Sequence, residues 1–474
     1  MIVVKFGGTS VGDPEAIGRA AEIVRGRAVA RPLVVVSAMA GVTNALLALA
    51  EQAARGHTVG ALAAVEGLRR RHLDAAAAVA PGDAGEELAA ELSASFDELA
   101  RLAEALSVFG YLTPRTLDAI AAQGELLSAP IVAAALRARG LDAETVDPRQ
   151  LTITDDTFGR AEPQPELIAE AARERVLPAV REGRVPVTGG FVGATRDGVT
   201  TTLGRGGSDY SASLLGAALQ ADAIEIWTDV DGMLTADPRV VPHARLIERI
   251  RFDEASELAS FGAKVLHPST ITPAVRRGIP VYVYNSRRPG GAGTLITADA
   301  PRRPVSAVAA KNETTVVKLR SARMLLAHGY LRTVFEVFQR HNTSVDVIAT
   351  SEVSLSVTLD DASRLDALVA DLRAFGDVSV ERGRGIVSVV GAGLTDDPHA
   401  LARAFAALGG VGGGVRVHMA TVSATGINLT LVLDSAQVGP AMRALHDAFF
   451  PAPELGARAE AAAGVGRAAE AVGA

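Results

Sequence analysis

Met1-Ile2-Val3-Val4-Lys5-Phe6-Gly7-Gly8-Thr9-Ser10 opens the chain and points to its fold class. Residues 2–6 form a short apolar run that stops on two glycines, the pattern of a strand buried on both faces. Asp13 then offers an N-cap and Pro14 a first helical turn, so 14–28 reads as a helix. Val-rich Leu33 to Val36 is a second strand, and 42–55, 60–80, 85–108 and 116–139 are Ala/Leu-rich and helical. Further strands are expected at Val185 to Thr188, Ala223 to Trp227 and Val281 to Tyr284. Strands alternating with helices predict an α/β domain, a mostly parallel sheet covered by helices on both faces. Such sheets bind ligands at the carboxyl ends of their strands, where the polar, glycine-rich segments of this chain fall.

The pattern changes after 287–312, which carries Arg287-Arg288-Pro289-Gly290-Gly291, Pro301 and Pro304 and little apolar periodicity. Beyond it, strand-like Thr314 to Leu319, a helix at 329–341, strands at Val345 to Ile348 and Val353 to Leu359, a helix at 363–374 and a strand at Val378 to Glu381 make one βαββαβ unit. Gly385 to Val390, 397–408, Val415 to Met419, Ile427 to Val432 and 435–449 repeat the theme. The expected organisation is a first domain over 1–298, a linker over 299–312, ferredoxin-like units over 313–383 and 384–450, and an Ala/Gly-rich frayed tail from 451.

Bulk properties agree with a multidomain globular protein. The 474 residues are too many for one ordinary core, and 48% hydrophobic with 21% charged residues excludes disorder. A net charge of -7 without a dense basic run argues against a nucleic-acid partner. With no cysteine, disulfides, thiolate metal sites and thiol nucleophiles are excluded. No charged leader precedes the first apolar run, and no uninterrupted apolar stretch reaches the ~20 residues of a membrane span, so a soluble, cytoplasmic protein with no membrane partner is expected.

Four segments carry chemistry. In Lys5-Phe6-Gly7-Gly8-Thr9-Ser10 the glycines let backbone N–H groups approach phosphate oxygens, and Lys5 adds a compact positive charge. Alone, the same residues would also serve as a tight strand-to-helix turn. In Thr202-Leu203-Gly204-Arg205-Gly206-Gly207-Ser208-Asp209, loop amides and a helix N-terminus make an anion site, and Arg205 can hold a carboxylate bidentately. Asp209 suits pairing with a nearby lysine, and Ser208 or Asp209 would equally cap the helix. Trp227-Thr228-Asp229-Val230-Asp231-Gly232, continuing to Arg239, lies at the sheet's carboxyl edge but is also what any loop would show. In Phe261-Gly262-Ala263-Lys264-Val265-Leu266-His267-Pro268, Lys264 is a candidate phosphate contact or a plain surface lysine.

Together, and in this order, these segments resemble the signatures of the aspartate kinase family of the amino-acid kinase fold, and the C-terminal pair of units resembles its tandem ACT domains. The likeness extends to about residue 450, and 341–352 looks closest to the lysine-sensitive, homodimeric branch. The resemblance implies ATP-dependent phosphorylation of the aspartate side-chain carboxylate to 4-phospho-L-aspartate, the first step of lysine, threonine and methionine biosynthesis, with amino-acid feedback. It implies that Lys5 contacts the transferring phosphoryl group and Asp209 orients it. Gly7, Gly8, Thr228, Asp229, Leu234, Arg239, Lys264 and Val265 would surround ATP, and Leu234 stands where a tyrosine is common. Arg205 and Glu125 would hold the α-carboxylate and α-ammonium of aspartate, helped by Ser37, Thr43, Gly206, Gly207 and Ser208. Mg²⁺ would be held mainly by the nucleotide phosphates, with no resident metal site. Met324, Ala327, Gly329, Tyr330, Leu331, Ser344, Val345, Asp346, Ser351 and Glu352 would form an effector site, with L-lysine as effector. Leu326 and Ala327 replace residues that are polar in the lysine-sensitive branch. Met324, Tyr330 and Leu331 equally suit ordinary core packing. A homodimer joined through the ACT sheets, or a dimer of dimers, would follow. Other readings are a glutamate- or acetylglutamate-type kinase, and an amino-acid-binding regulator whose kinase domain is inactive. The carboxylate acceptor is already ionised at neutral pH, so no general base is required. The chemical task is to gather two anions and stabilise a loose transition state.

Overall fold

The computed structural model describes residues 1–204, 206–261 and 268–451. Arg205, Lys264, Val265 and the tail beyond 451 lie outside the described residues. The chain divides into two compact units. Among the described residues, the first holds Met1–Met233, Leu246–Ser260 and residues 268–301; the second holds Leu234–Arg245, Phe261 and residues 302–451.

The first unit begins with β1 (Ile2–Phe6), α1 (Pro14–Arg27) and β2 (Pro32–Val36). Asp13 caps α1 by accepting from the Ala16 N–H at 2.8 Å. Four long helices follow: α2 (Val42–Ala54), α3 (Thr58–Val79), α4 (Asp83–Phe109) and the pair α5 (Pro114–Ala121) and α6 (Gln123–Arg137). That pair was expected as one helix. Thr113 caps α5, and Ala122 keeps helical angles (φ -60, ψ -25), so the helix is interrupted for one residue rather than ended. Its apolarity reflects burial: 83% of its most apolar window is covered within the unit. The chain continues through β3 (Ala143–Thr145), α7 (Pro165–Arg175), α8 (Leu177–Arg181), β4 (Val185–Gly189), β5 (Val192–Ala194), β6 (Thr200–Thr202), α9 (Gly207–Leu219) and β7 (Ala223–Thr228). It then adds β8 (Arg249–Ile250), α10 (Phe252–Ser260), α11 (Thr272–Arg277), β9 (Val281–Asn285) and β10 (Thr294–Ile296).

These strands build an eight-stranded sheet of order β3-β4-β2-β1-β7-β9-β10-β8. It is parallel from β3 to β9, and β10 runs antiparallel to β9. β1 is central, with every residue buried, because Val, Phe and Lys5 all face covering layers. Its carboxyl end therefore opens where β2, β4 and β7 also end, and the site is built there.

The second unit holds β11 (Ala307–Arg320), α12 (Tyr330–Arg340), β12 (Ile348–Thr350), β13 (Ser354–Leu359), α13 (Leu365–Leu372), β14 (Asp377–Val390), α14 (Ala400–Gly409), β15 (Met419–Val422), β16 (Asn428–Asp434) and α15 (Ser435–Phe449). Its strands form a single antiparallel sheet, β12-β13-β11-β14-β16-β15. This amends two expectations. Residues 307–312, expected in a linker, are the first half of β11, and the second ferredoxin-like unit does not end with its own last strand. Ala307 to Lys311 pairs with Ile386 to Val390 and supplies that strand, while Val316 to Arg320 pairs with Asp377 to Glu381 and with β13. The register shifts between Lys311 and Thr314, with Glu313 at φ 62, so a bulge lets one strand serve both halves.

Candidate active site

Lys5 lies near the end of β1 and is 7% exposed. Its Nζ sits 2.6 Å from Oδ1 of Asp209. Asp209 occupies the first turn of α9, where the helix dipole favours an anion. The strand and the helix end thus place one ammonium and one carboxylate in contact, as the sequence suggested.

Close backbone approaches make the cavity possible. A Cβ at Gly190 would fall 2.6 Å from the Ser208 Cα, and one at Gly8 would fall 2.9 Å from the Ala38 carbonyl oxygen. The resulting cavity, of about 710 Å³, is lined by Lys5, Gly8, Ser37, Thr43, Glu125, Gly206, Gly207, Ser208 and Asp209 among others. These are residues from β1, the turn after β2, α2, α6 and the start of α9, up to 204 positions apart in sequence.

Glu125 projects from the first turn of α6 and is 3% exposed. Burial pushes its carboxyl up to about 8, opposed by the Ala38 N–H, its own N–H and the Lys5 charge. Its Oε2 has no hydrogen-bond partner among the described residues. A buried carboxyl with an unused oxygen, facing a cavity, suits a ligand cation.

Two lining residues escaped the sequence reading. Asp118 is 2% exposed on α5. Its Oδ2 accepts the N–H groups of Gly159 and Thr202 at 2.8 and 3.0 Å, and its Oδ1 accepts the Thr202 hydroxyl at 2.7 Å. It ties the approach to the 203–207 turn to the helical layer. The available signal was a lone carboxylate in the apolar stretch Leu117 to Ala122. Phe191 has φ 62, its N–H donates to Ser211 Oγ at 2.9 Å, and its ring covers Gly207. Asp118→Ala would leave two backbone N–H groups and a hydroxyl unpaired at about 1–3 kcal/mol for each buried group. We expect a loss of roughly 3 kcal/mol in urea denaturation and a raised KM for the acceptor substrate, with Asp118→Asn recovering most of both. Equal urea midpoints for wild type and the alanine variant would show that this carboxylate anchors nothing.

Beside this cavity, the Gly7 N–H donates to the Trp227 carbonyl at 3.0 Å. Thr228 and Asp229 close β7, and the Thr228 carbonyl accepts from the Ser286 N–H at 2.8 Å. Asp231 pairs with Arg288 and accepts from Asn285 Nδ2 at 2.7 Å. Leu234 and Arg239 belong to the second unit, where Arg239 is held by Asp237 (Nη2 to Oδ2 2.6 Å).

In the second unit, Met324, Leu325, Leu326, Ala327, Tyr330, Leu331 and Glu352 line a cavity of about 200 Å³. Gly329 (φ 79) caps α12, and the Tyr330 hydroxyl donates to the Phe375 carbonyl at 2.8 Å. Ser351 pairs with Ser354 (Oγ to Oγ 2.6 Å), while Ser344 and Val345 precede β12. Asp346 does not line that cavity. It sits 3.5 Å from Lys311, and burial, together with the Asp360 carboxyl beside it, raises it to about 6 against the Lys311 charge.

Comparison with known proteins places this geometry. The model of the Amino acid kinase family matches residues 1–285, and that of an ACT domain matches 387–449. The lysine-sensitive aspartokinase 3 of Escherichia coli is 43% identical over 404 residues, which cover 83% of this chain and 88% of that protein. The crystal structure of E. coli aspartokinase III with aspartate and ADP (R-state) superposes with a TM-score of 0.83 at 39% identity, covering 95% of this chain and 100% of that one. The same enzyme with lysine and aspartate (T-state) gives 0.79 at 38% identity, covering 95% and 99%. With an amino-acid kinase sheet, an ACT sheet and this degree of likeness, the chain belongs to the aspartokinase family.

Proposed function

We propose that the cavity around Lys5 and Asp209 carries out the aspartokinase reaction, with the γ-phosphoryl group of ATP passing to the side-chain carboxylate of aspartate. The observation that carries this is the buried Lys5–Asp209 pair at 2.6 Å, in one cavity with a ligand-free Glu125 oxygen and the amides at the start of α9. Lys5 supplies positive charge where the two anions meet, and Asp209 fixes its ammonium. Glu125 receives the α-ammonium of aspartate, Arg205 its α-carboxylate, and Ser37, Thr43 and the Gly206–Ser208 segment complete the grip. The nucleotide lies along Gly7, Gly8, Thr228 and Asp229, and Leu234, Arg239, Lys264 and Val265 complete its binding. No proton need be removed, so positioning and electrostatics do the work. Among the described lining residues, Asp209 is committed to Lys5, Asp118 already accepts from three donors, and Glu125 is held near neutrality. This donor set fits Mg²⁺ carried in on the nucleotide's own phosphates, where it neutralises charge on the transferring group.

The regulatory reading follows the lysine complex of the E. coli enzyme. L-lysine is the effector, bound beside Met324, Ala327, Tyr330, Leu331 and Glu352, with Gly329, Ser344, Val345 and Ser351 around it, in a cytoplasmic homodimer joined through its ACT sheets. ATP-dependent formation of the acyl phosphate, trapped with hydroxylamine, tests both parts. Aspartate should react and glutamate should lose at least ~10²-fold in kcat/KM, because one extra methylene displaces the acceptor by more than an ångström. Lysine should inhibit where threonine and methionine do not. Equal rates with glutamate would defeat the substrate assignment, and insensitivity to lysine would defeat the effector assignment alone.

A further inference from the structure

His243, His446 and Asp447 meet in the second unit, with one nitrogen of each histidine and one carboxylate oxygen all within 4.8 Å of one another. His243 and Asp447 are exposed and pair at 2.9 Å (Nε2 to Oδ1). His446 is fully buried. Its Nε2 lies 2.9 Å from Thr235 Oγ1, and its Nδ1 has no partner among the described residues. The imidazole packs edge-on against His243, with centroids 5.0 Å apart at 71°, and stacks on Phe450 at 4.8 Å.

We propose that His243, His446 and Asp447 form a binding site for a divalent transition-metal ion of the zinc class, linking Leu234–Arg245 to α15. Two imidazoles and one carboxylate are the ligand set that zinc takes when a fourth position is left to water. With metal–ligand bonds of roughly 2.0–2.1 Å, a tetrahedral site needs its donors about 3.3 Å apart. The present spread closes to that by rotating His243 and Asp447, whose side chains are 49% and 62% exposed and free to move. His446 is already held. The Thr235 hydroxyl accepts the Arg245 N–H at 2.9 Å. In the tautomer whose Nε2–H also donates to Thr235, Nδ1 presents a bare lone pair, with the outer-shell hydrogen bond that ligating histidines make. The nearby cation, Arg245, turns its Nη2 to the Pro451 carbonyl at 2.5 Å. With no thiols in the chain, soft ligands do not compete.

The test is titration of the untagged, chelator-treated full chain with Zn²⁺ by calorimetry, and with Co²⁺ by visible absorption. Wild type should bind one equivalent more than the double variant His243→Ala/Asp447→Ala, both changes being at exposed positions. Zn²⁺ should raise the Tm of wild type and not of the double variant, and Co²⁺ should give visible bands of low-coordinate geometry only in wild type. Equal stoichiometry in the two proteins, or weak binding without a Tm difference, overturns the proposal. The kinase assay without added zinc should be unchanged by the double variant, which separates this outcome from failure of the active-site reading.

Discussion

Lys5→Ala is expected to lower kcat by roughly 10³-fold, the scale seen when one preorganised charge donor is removed from a transferring group. Lys5 is buried at the end of a central strand, where its ammonium meets Asp209 at the cavity wall. The loss should fall on kcat more than on KM for aspartate, because the charge it stabilises is spread over the phosphoryl group in the transition state. The variant also strands Asp209, whose carboxylate would then repel both anionic reactants. Lys5→Ala/Asp209→Ala should therefore be no slower than Lys5→Ala alone, a coupling expected of residues acting as one unit. Wild-type turnover in Lys5→Ala would remove the basis of the mechanism. Strictly additive losses would instead show that Asp209 acts on its own.

Glu125→Gln should trade stability against substrate capture. Folding raises this carboxyl to about 8 from the ordinary carboxylate range, chiefly by burial. The folded protein therefore holds a proton that the unfolded chain releases, and stability is lost as pH rises from about 4.5 through 8. At pH 8 the shift costs the fold up to ~4 kcal/mol, and the glutamine variant should be more stable than wild type by a sizeable part of this, with a flatter dependence of Tm on pH. Aspartate supplies an ammonium that pairs with the ionised form, so its kcat/KM in wild type should rise with pH toward 8. The glutamine variant lacks that charge and should lose roughly 10²-fold in kcat/KM and most of the protection that aspartate gives against unfolding. A variant that binds aspartate normally, or one less stable than wild type at pH 8, would refute the role given to this carboxyl. A site that holds a strained charge at a cost to the empty fold is the usual trade between stability and function.

The regions where reading the chain fell short share a cause. Strand β1, its double glycine and helix α9 were legible because hydrophobic period and capping chemistry are local. Asp118 was not, because nothing in its own helix shows that Thr202 and Gly159 lie against it, 84 and 41 positions away. Strands β3, β5, β6, β8 and β10 are only two or three residues long, too short for alternation to appear. The linker expectation failed at 307–312 because a strand pairing with a partner some 75 residues later resembles any extended connection until that partner is in place.

Local pattern alone carried the α/β class, the longer elements in their order and the ferredoxin-like tail, and the resemblance to the aspartate kinase family supplied the residues expected at the site. Folding in three dimensions decided the rest: the 2.6 Å contact between Lys5 and Asp209, the proton affinity of Glu125, the single sheet that β11 shares between both regulatory halves, and the meeting of His243 with His446. Periodicity, caps and turns are set by a residue and its near neighbours. Distance, exclusion of water and pKa are set by groups a hundred or more positions away, and those exist as neighbours only once the chain has packed.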